Sequence, residues 1–201
     1  MLARAQQSML HAGMRHVHFV QADAQTYVFP SASFDLLYSR FGVMFFIDPL
    51  VAFANLSTAL RPGGRLTFIC WQALQHNPWM FIPMAAAAAH LPLPAPSDPT
   101  APGPFAFADP QRVRSLLTSA GFRSAECHPL KETLTLGNDS NLDRTVEFVL
   151  QMGPTGSALR AHPAARERVA VAVREALRPY HSHDGVRMEA AAWIVTAQRT
   201  G

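Results

Sequence analysis

The stretch from Phe34 to Trp71 constrains the fold most, because two short apolar runs flank a single helix pattern there. Phe34–Tyr38 is too short for a helix and predicts a buried strand. Asp48 and Pro49 together predict a helix start, with a carboxylate N-cap followed by a proline whose missing N–H is not needed. Arg65–Trp71 is rich in strand-forming residues. Strand, helix and strand in this order predict the βαβ unit of a parallel sheet.

Apolar residues at helical spacing predict the buried face of this helix. They are Leu50, Phe53, Leu56 and Leu60. The segment from Arg61 to Gly64 should end the helix, because Pro62 followed by Gly63 suits a type II turn in which glycine adopts a positive φ.

Three segments of the chain carry a family resemblance: FVQADA at Phe19–Ala24, the run Phe34–Phe46, and LRPGGRL at Leu60–Leu66. With these segments the chain resembles the class I S-adenosylmethionine-dependent methyltransferases. The most similar branch acts on small molecules and includes the ubiquinone and menaquinone C-methyltransferases. The resemblance implies an α/β fold with a Rossmann-like sheet that is mostly parallel and whose last strand is antiparallel. It also implies one methyltransferase domain over residues 1–201.

The beginning of the chain departs from the family pattern. Residues 1–12 predict a helix ended by Gly13, and the resemblance places this helix after the acidic residue that binds the ribose. No Gly-x-Gly occurs among the 11 glycines. The chain is therefore predicted to be an N-terminally truncated domain that lacks the first two strands and the glycine-rich loop. A misassigned start codon, a gene fragment or a degenerate gene would each give this pattern, and weak or no cofactor binding is expected.

Asp23 and Ala24 are the first cofactor-binding candidates. His16–Ala22 predicts a strand, and ligands of open α/β sheets bind beyond the carboxyl ends of the strands. The resemblance implies that the Asp23 carboxylate accepts a hydrogen bond from the adenine amine and that the Ala24 N–H contacts a ring nitrogen. The alternative is that Asp23 caps a turn, where aspartate is common.

Ser39, Arg40 and Phe41 follow the next strand and are the second group of cofactor-binding candidates. The resemblance implies contacts to the methionine part and the adenine, with Ser39 contributing mainly backbone and Phe41 an apolar wall. Arg40 is expected to pair either with the cofactor carboxylate or with a neighbouring aspartate. The run Val43–Phe46 is predicted to be core rather than part of the cofactor site.

Residues 72–108 form a proline-rich insertion between two predicted elements. Its clustered prolines are Pro92, Pro94, Pro96, Pro99, Pro102 and Pro104. We predict either a substrate lid that covers an apolar acceptor and excludes water, or a packed surface excursion that shields the sheet. Trp71, Trp79 and Phe105 are the candidate lid residues.

The rest of the chain predicts alternating elements. In order, they are a helix from Pro110, strands over Phe122–Leu130 and Thr133–Leu136, a helix from Leu142, a helix from Pro163 with Val169, Val173 and Leu177 buried, and a strand over Ala191–Ala197.

Composition excludes several classes of function. The net charge is only +3 with a single lysine, so no concentrated basic face for nucleic acid is expected. No apolar run reaches about 18 residues, so no membrane span is predicted. Cys70 and Cys127 are expected to be reduced thiols, which favours a cytoplasmic location. The segment from His181 to Asp184 offers too few ligands for a predicted metal site.

The resemblance implies methyl transfer from S-adenosylmethionine to a small molecule, and no residue is assigned as a catalytic base. The second hypothesis is a non-catalytic remnant or partner-binding subunit, with self-association through an exposed sheet edge. A nicotinamide-dependent dehydrogenase would need Gly-x-Gly-x-x-Gly, which is absent.

Overall fold

The predicted βαβ unit is present. A computed structural model describes residues 2–92, 98–137 and 140–201. Strand β1 spans Phe34–Arg40, helix α2 spans Pro49–Ala59 and strand β2 spans Leu60–Trp71. β1 and β2 pair in parallel. The Asp48 carboxylate caps α2 by accepting a hydrogen bond from the Val51 N–H at 3.0 Å, as predicted.

The sheet is mixed and has the strand order β1-β2-β5-β3. Strand β3 spans Phe122–Leu136, the short strand β4 spans His181–Ser182 and pairs with β5, and β5 spans Gly185–Arg199. Because β5 is antiparallel to both β2 and β3, strands β1, β2 and β3 run in one direction and the last strand runs against them. This confirms the predicted α/β sheet with an antiparallel last strand.

The other helices are α1 Leu2–His11, α3 Pro78–Ala88, α4 Pro110–Ser119, α5 Leu142–Val149, α6 Gly153–Ala161 and α7 Arg166–Leu177. Val169, Val173 and Leu177 of α7 are fully buried, as predicted. None of the described helices is long and apolar enough to cross a membrane.

Two hydrophobic clusters form the core. In the first, helices α2 and α4 pack on one face of the sheet through residues such as Phe53, Phe68 and Leu117. In the second, helices α3, α5, α6 and α7 surround the part of β3 and β5 that extends beyond β2, with Met188 at its centre. The half-buried Trp71 packs against both clusters.

The predicted strand over His16–Ala22 is wrong, because these residues adopt no regular structure. Within the described residues β1 pairs only with β2 and forms an edge of the sheet. A strand pattern becomes a strand only where a neighbour accepts its backbone hydrogen bonds, and this segment has no such neighbour.

Other boundaries also differ from the predictions. Phe122–Leu130 and Thr133–Leu136 form one strand, because β5 pairs continuously with β3 from Glu126 to Leu136. Leu50 is 43% exposed, since α2 buries Ala52, Phe53 and Leu56 instead. Gly63 has the expected positive φ of 75°, although the turn lies within β2 as a bulge.

The described residues of the insertion, 72–92 and 98–108, contain more regular structure than the sequence predicted. One of these elements is the eleven-residue helix α3, which the sequence did not predict. Near the end of the insertion, Phe107 is 1% exposed and belongs to the first cluster. The last residues of the insertion are therefore core. Met1, Pro94 and Pro96 lie outside the described residues.

Candidate functional site

The carboxyl ends of β1 and β2 lie side by side and form the centre of the candidate site. Arg40 is paired with Ile69, and the Phe41 N–H donates to the Ile69 carbonyl at 3.1 Å. Phe41 has a φ of +53°, a conformation that costs a non-glycine residue about 1–3 kcal/mol. Such strain persists only where surrounding contacts hold the residue, and here it points the phenyl ring at β2.

A row of aromatic rings crosses this edge. The Phe41 ring stacks on Trp71 with centroids 4.1 Å apart and planes at 16°, and Trp71 contacts Trp79 at 5.0 Å. The guanidinium carbon of Arg40 lies 5.7 Å from the centroid of the Phe41 ring. Within the described residues no aspartate or glutamate forms an ion pair with Arg40, and its pairing with the cofactor carboxylate stays a prediction.

Asn77 fixes the third ring of the row. Its side chain is fully buried, and its Oδ1 accepts hydrogen bonds from the Trp79 Nε1–H and the Ala191 N–H, both at 3.0 Å. Its Nδ2 donates to the carbonyls of Gln72, Ala73 and Ala191. The indole of Trp79 is therefore attached to β5 through one amide.

Asp23 caps a turn, which was the alternative role considered for it. Its Oδ1 accepts from the Gln25 N–H at 2.9 Å, and its backbone carbonyl accepts from the Tyr27 N–H at 2.8 Å. Asn55 of α2 holds this turn by donating to the carbonyls of Ala24 at 3.0 Å and Tyr27 at 2.8 Å. The turn thus has a fixed position relative to α2.

The Asp23 turn retains one acceptor and one donor. In the described part of the chain, neither the second carboxylate oxygen of Asp23 nor the Ala24 N–H has a hydrogen-bond partner. An acceptor next to a donor matches the edge of adenine, which presents an amine and a ring nitrogen. The contacts of these two residues to the base stay a prediction.

The structure brings together some of the predicted site residues. Ser39, Arg40, Phe41, Trp71 and Trp79 lie along the carboxyl ends of β1 and β2 or their aromatic row. The Asp23 turn reaches the end of the loop that follows Phe41, where the Gln25 Oε1 accepts from the Asp48 N–H at 2.9 Å.

Phe105 is separate from the row, since no described aromatic ring contacts it. Its carbonyl accepts from the Ala108 N–H at 3.0 Å in a turn. That turn is attached near the site, because the Gly103 N–H donates to the Met44 carbonyl at 3.0 Å.

The thiol of Cys70, the residue before Trp71, is unreactive at neutral pH. Burial, and secondarily the nearby Cys127, raise the pKa of the Cys70 thiol to about 12. The thiol lies 3.7 Å from the Phe107 carbonyl and remains protonated at neutral pH, so it is no nucleophile. Among the described residues no three His, Cys, Asp or Glu side chains form a group that could hold a metal ion.

The first third of the chain matches a known family model. A family model described as a methyltransferase domain matches residues 1–68. The match covers about a third of the 201-residue chain. All five candidate cofactor-binding residues lie inside it.

Two curated methyltransferases resemble the same segment. The aklanonic acid methyltransferase DauC of Streptomyces sp. strain C5 is 34% identical over 68 residues, which is 34% of this chain and 31% of DauC. The ubiquinone/menaquinone biosynthesis C-methyltransferase UbiE of Teredinibacter turnerae is 36% identical over 85 residues, which is 38% of this chain and 34% of UbiE. The matched segment thus spans about a third of each relative.

Solved structures extend the likeness to the whole fold. The YcgJ protein of Bacillus subtilis matches with a TM-score of 0.61 at 14% identity, covering 100% of this chain and 79% of YcgJ. A candidate methyltransferase of Bacillus halodurans gives the same values. The cyclase SpnF also matches, with a TM-score of 0.50 at 22% identity over 98% of this chain and 62% of SpnF. The chain shares the Rossmann-like α/β fold of these structures, and a fold does not by itself decide the reaction.

Proposed function

We propose that the protein transfers a methyl group from S-adenosylmethionine to a small-molecule acceptor. The observation that carries this proposal is the match of residues 1–68 to a methyltransferase domain, since this segment contains Asp23, Ala24, Ser39, Arg40 and Phe41. DauC and UbiE, which both act on small molecules by their names, support the acceptor class. The two free cysteines support the predicted cytoplasmic location.

In this proposal the unpaired oxygen of Asp23 accepts from the adenine amine, and the Ala24 N–H donates to a ring nitrogen. Phe41 forms an apolar wall and Ser39 contributes backbone. The Arg40 guanidinium binds the carboxylate of the methionine part. Two features support these roles, namely the free hydrogen-bonding pair at the Asp23 turn and the absence of an ion pair at Arg40 in the described residues.

Bound S-adenosylmethionine supplies a methyl group already activated on a sulfonium. The chain's own contribution is therefore to align the acceptor and exclude water. We propose that Trp79, with Phe105 on the neighbouring turn, forms the substrate-facing side of the insertion at 72–108. These residues act as a lid together with Trp71, the last residue of β2. No side chain needs to act as a base where the acceptor carries an acidic proton.

The test is calorimetric titration of S-adenosylhomocysteine into the 201-residue protein, for which the sequence predicts weak binding at most, and into three variants. Asp23→Ala should weaken the affinity by about 1–3 kcal/mol, because it leaves a buried adenine amine unpaired. Arg40→Gln should also weaken it. Asp35→Ala is the matched control, since Asp35 is an exposed carboxylate paired with Arg61 on the surface. Equal affinity of Asp23→Ala and the wild type would remove Asp23 from the site.

The second candidate function is that of a partner-binding or self-associating subunit. Its support is the edge strand β1, where Phe34, Leu36 and Tyr38 are 39%, 45% and 80% exposed. Unpaired strand edges with apolar side chains favour association. Sedimentation of the wild type should then show a dimer that Tyr38→Lys dissociates and the control Val171→Lys does not. A monomeric wild type that binds S-adenosylhomocysteine would instead favour the first candidate.

A further inference from the structure

The structure contains a groove that adjoins the candidate site and shares Trp79 with it. It lies between the carboxyl end of β3 and helix α5 and has a volume of about 500 Å³. Trp79 lines it together with Leu134 and Leu136 of β3, and Phe148 and Met152 form the opposite side. We propose that this groove binds the apolar part of the methyl acceptor. The inference rests on the proposed methyl transfer for the identity of its ligand.

The chemistry of the lining defines the class of ligand. Two aromatic rings, two leucines and a thioether dominate the surface. Among the described residues, Thr135 and the cationic Arg144 also line it, and no acidic side chain does. The volume is typical of sites that hold a small organic molecule, and such sites are mostly apolar. Methionine adapts its shape to an irregular apolar ligand, and aromatic rings pack on flat ones. The ligand is therefore a flat apolar molecule or an apolar substituent.

Phe148 indicates that the groove is not simply a core defect. Helix α5 buries Val146 and Val149 against the second cluster, whereas the Phe148 phenyl is 45% exposed and faces the groove. Isolated exposed apolar residues are common, but here the exposed ring lines a concave surface together with Trp79 and Met152. Trp79 and Met152 also line a neighbouring cavity of about 30 Å³. This cavity extends the apolar surface between α3 and α6.

Trp79 connects the groove to the candidate site. Its ring contacts Trp71 at 5.0 Å, and Trp71 stacks on Phe41 at 4.1 Å. Asn77 prevents the indole from turning away by holding its Nε1–H. The groove and the aromatic row therefore meet at Trp79, and the row leads from it to the carboxyl ends of β1 and β2. Trp79 is a positioning residue shared by both places.

The test uses the neutral fluorescent probe N-phenyl-1-naphthylamine with the wild-type protein and two exposed-residue variants. The probe should bind the wild type with enhanced emission. Phe148→Lys should weaken this binding at least about 10-fold, because an ammonium group replaces an apolar wall. Leu10→Lys is the control, since Leu10 is 69% exposed on α1 and lines no part of the groove. Far-ultraviolet circular dichroism confirms that each variant folds, and Phe148→Ser replaces Phe148→Lys if the lysine variant unfolds.

Two results would contradict the proposal that the groove binds an apolar ligand. One is a wild type that does not enhance probe emission, and the other is equal binding by the wild type and a folded Phe148 variant. The result is independent of the proposed function, because no cofactor is present. Probe binding that depends on Phe148 in a protein that binds no S-adenosylhomocysteine would retain the apolar site and refute methyl transfer. The reverse pattern would refute the groove and retain the proposed function.

Discussion

Asn77 Oδ1 lies 3.0 Å from Trp79 Nε1 and accepts its hydrogen bond inside the protein. The same oxygen accepts from the Ala191 N–H on β5. One buried amide therefore joins the start of α3, the ring that contacts Trp71, and the last strand of the sheet. Buried polar networks of this kind are costly to break, because each abandoned partner remains desolvated.

We predict that Asn77→Ala lowers the free energy of unfolding by about 2–4 kcal/mol, since it leaves the Trp79 and Ala191 N–H groups unpaired. Asn77→Asp should be more destabilising, because a carboxylate would face three backbone carbonyls. Urea unfolding followed by tryptophan fluorescence measures both changes. The control Gln75→Ala, at an exposed position nearby, should change stability by less than about 0.5 kcal/mol. If Gln75→Ala and Asn77→Ala lowered the free energy of unfolding equally, the stabilising role of the Asn77 hydrogen bonds would be contradicted.

At position 41 a glycine substitution should leave the protein more stable than an alanine substitution, which reverses the usual order. The φ of +53° at this position is strained for any residue with a Cβ, whereas glycine adopts it freely. We expect Phe41→Gly to be more stable than Phe41→Ala by about 1 kcal/mol, although both lose the stacking on Trp71. The matched pair is Ser115→Ala and Ser115→Gly on the exposed face of α4, where alanine should be more stable by about 1 kcal/mol. The same order at both positions would show that Phe41 is unstrained in solution.

The buried thiol of Cys70 should make stability fall in alkaline solution. Its pKa is about 12 in the folded protein and near 9 in the unfolded chain. Between these values the unfolded state loses a proton that the folded state keeps, so unfolding is favoured as the pH rises. The slope is about 1.4 kcal/mol per pH unit for one group.

Urea unfolding at pH 8.5 and pH 10.5 measures this effect. The loss of stability between the two pH values should be smaller for Cys70→Ala than for the wild type. The Cys127 thiol is only half-buried, and burial is the main cause that raises its pKa. Cys127→Ala should therefore change the pH dependence of stability less than Cys70→Ala does. An identical pH dependence in the wild type and Cys70→Ala would mean that the thiol is accessible to solvent.

The cap of α2 offers a smaller and well-defined change. Asp48→Ala removes the acceptor of the Val51 N–H and should destabilise the protein by about 1 kcal/mol, whereas Asp48→Ser should largely preserve stability. Thermal unfolding monitors both. Asp35→Ala is the comparison, because its exposed ion pair with Arg61 should contribute less than the cap. Asp35→Ala as costly as Asp48→Ala would argue against the capping account.

Much of the fold could be predicted because its signals are local. Asp48 and Asp109 each precede a proline and cap a helix, and Val169, Val173 and Leu177 share one helix face. Helix α3 was missed because it is apolar on all sides and contains Pro83, which reads as a breaker. The segment His16–Ala22 has a strand pattern, but whether it pairs depends on neighbours that its own residues do not specify.

The candidate site was only partly predictable for the same reason. Phe41 and Arg40 follow a predicted strand, so their place at its carboxyl end could be expected. Asn55 and Asn77 were not found, because their importance comes from carbonyls distant in sequence, such as those of Ala24 and Ala191. Helix α2 also contains the polar residues Ser57 and Thr58, so the sequence did not single out Asn55.

Strands β3 and β5 continue without interruption from the first hydrophobic cluster into the second. Neither cluster can come apart without disrupting a backbone ladder that the other also uses. The two halves of the molecule should therefore melt in one cooperative step, and amide protons near Val195 and near Met188 should exchange with solvent at a common, globally limited rate.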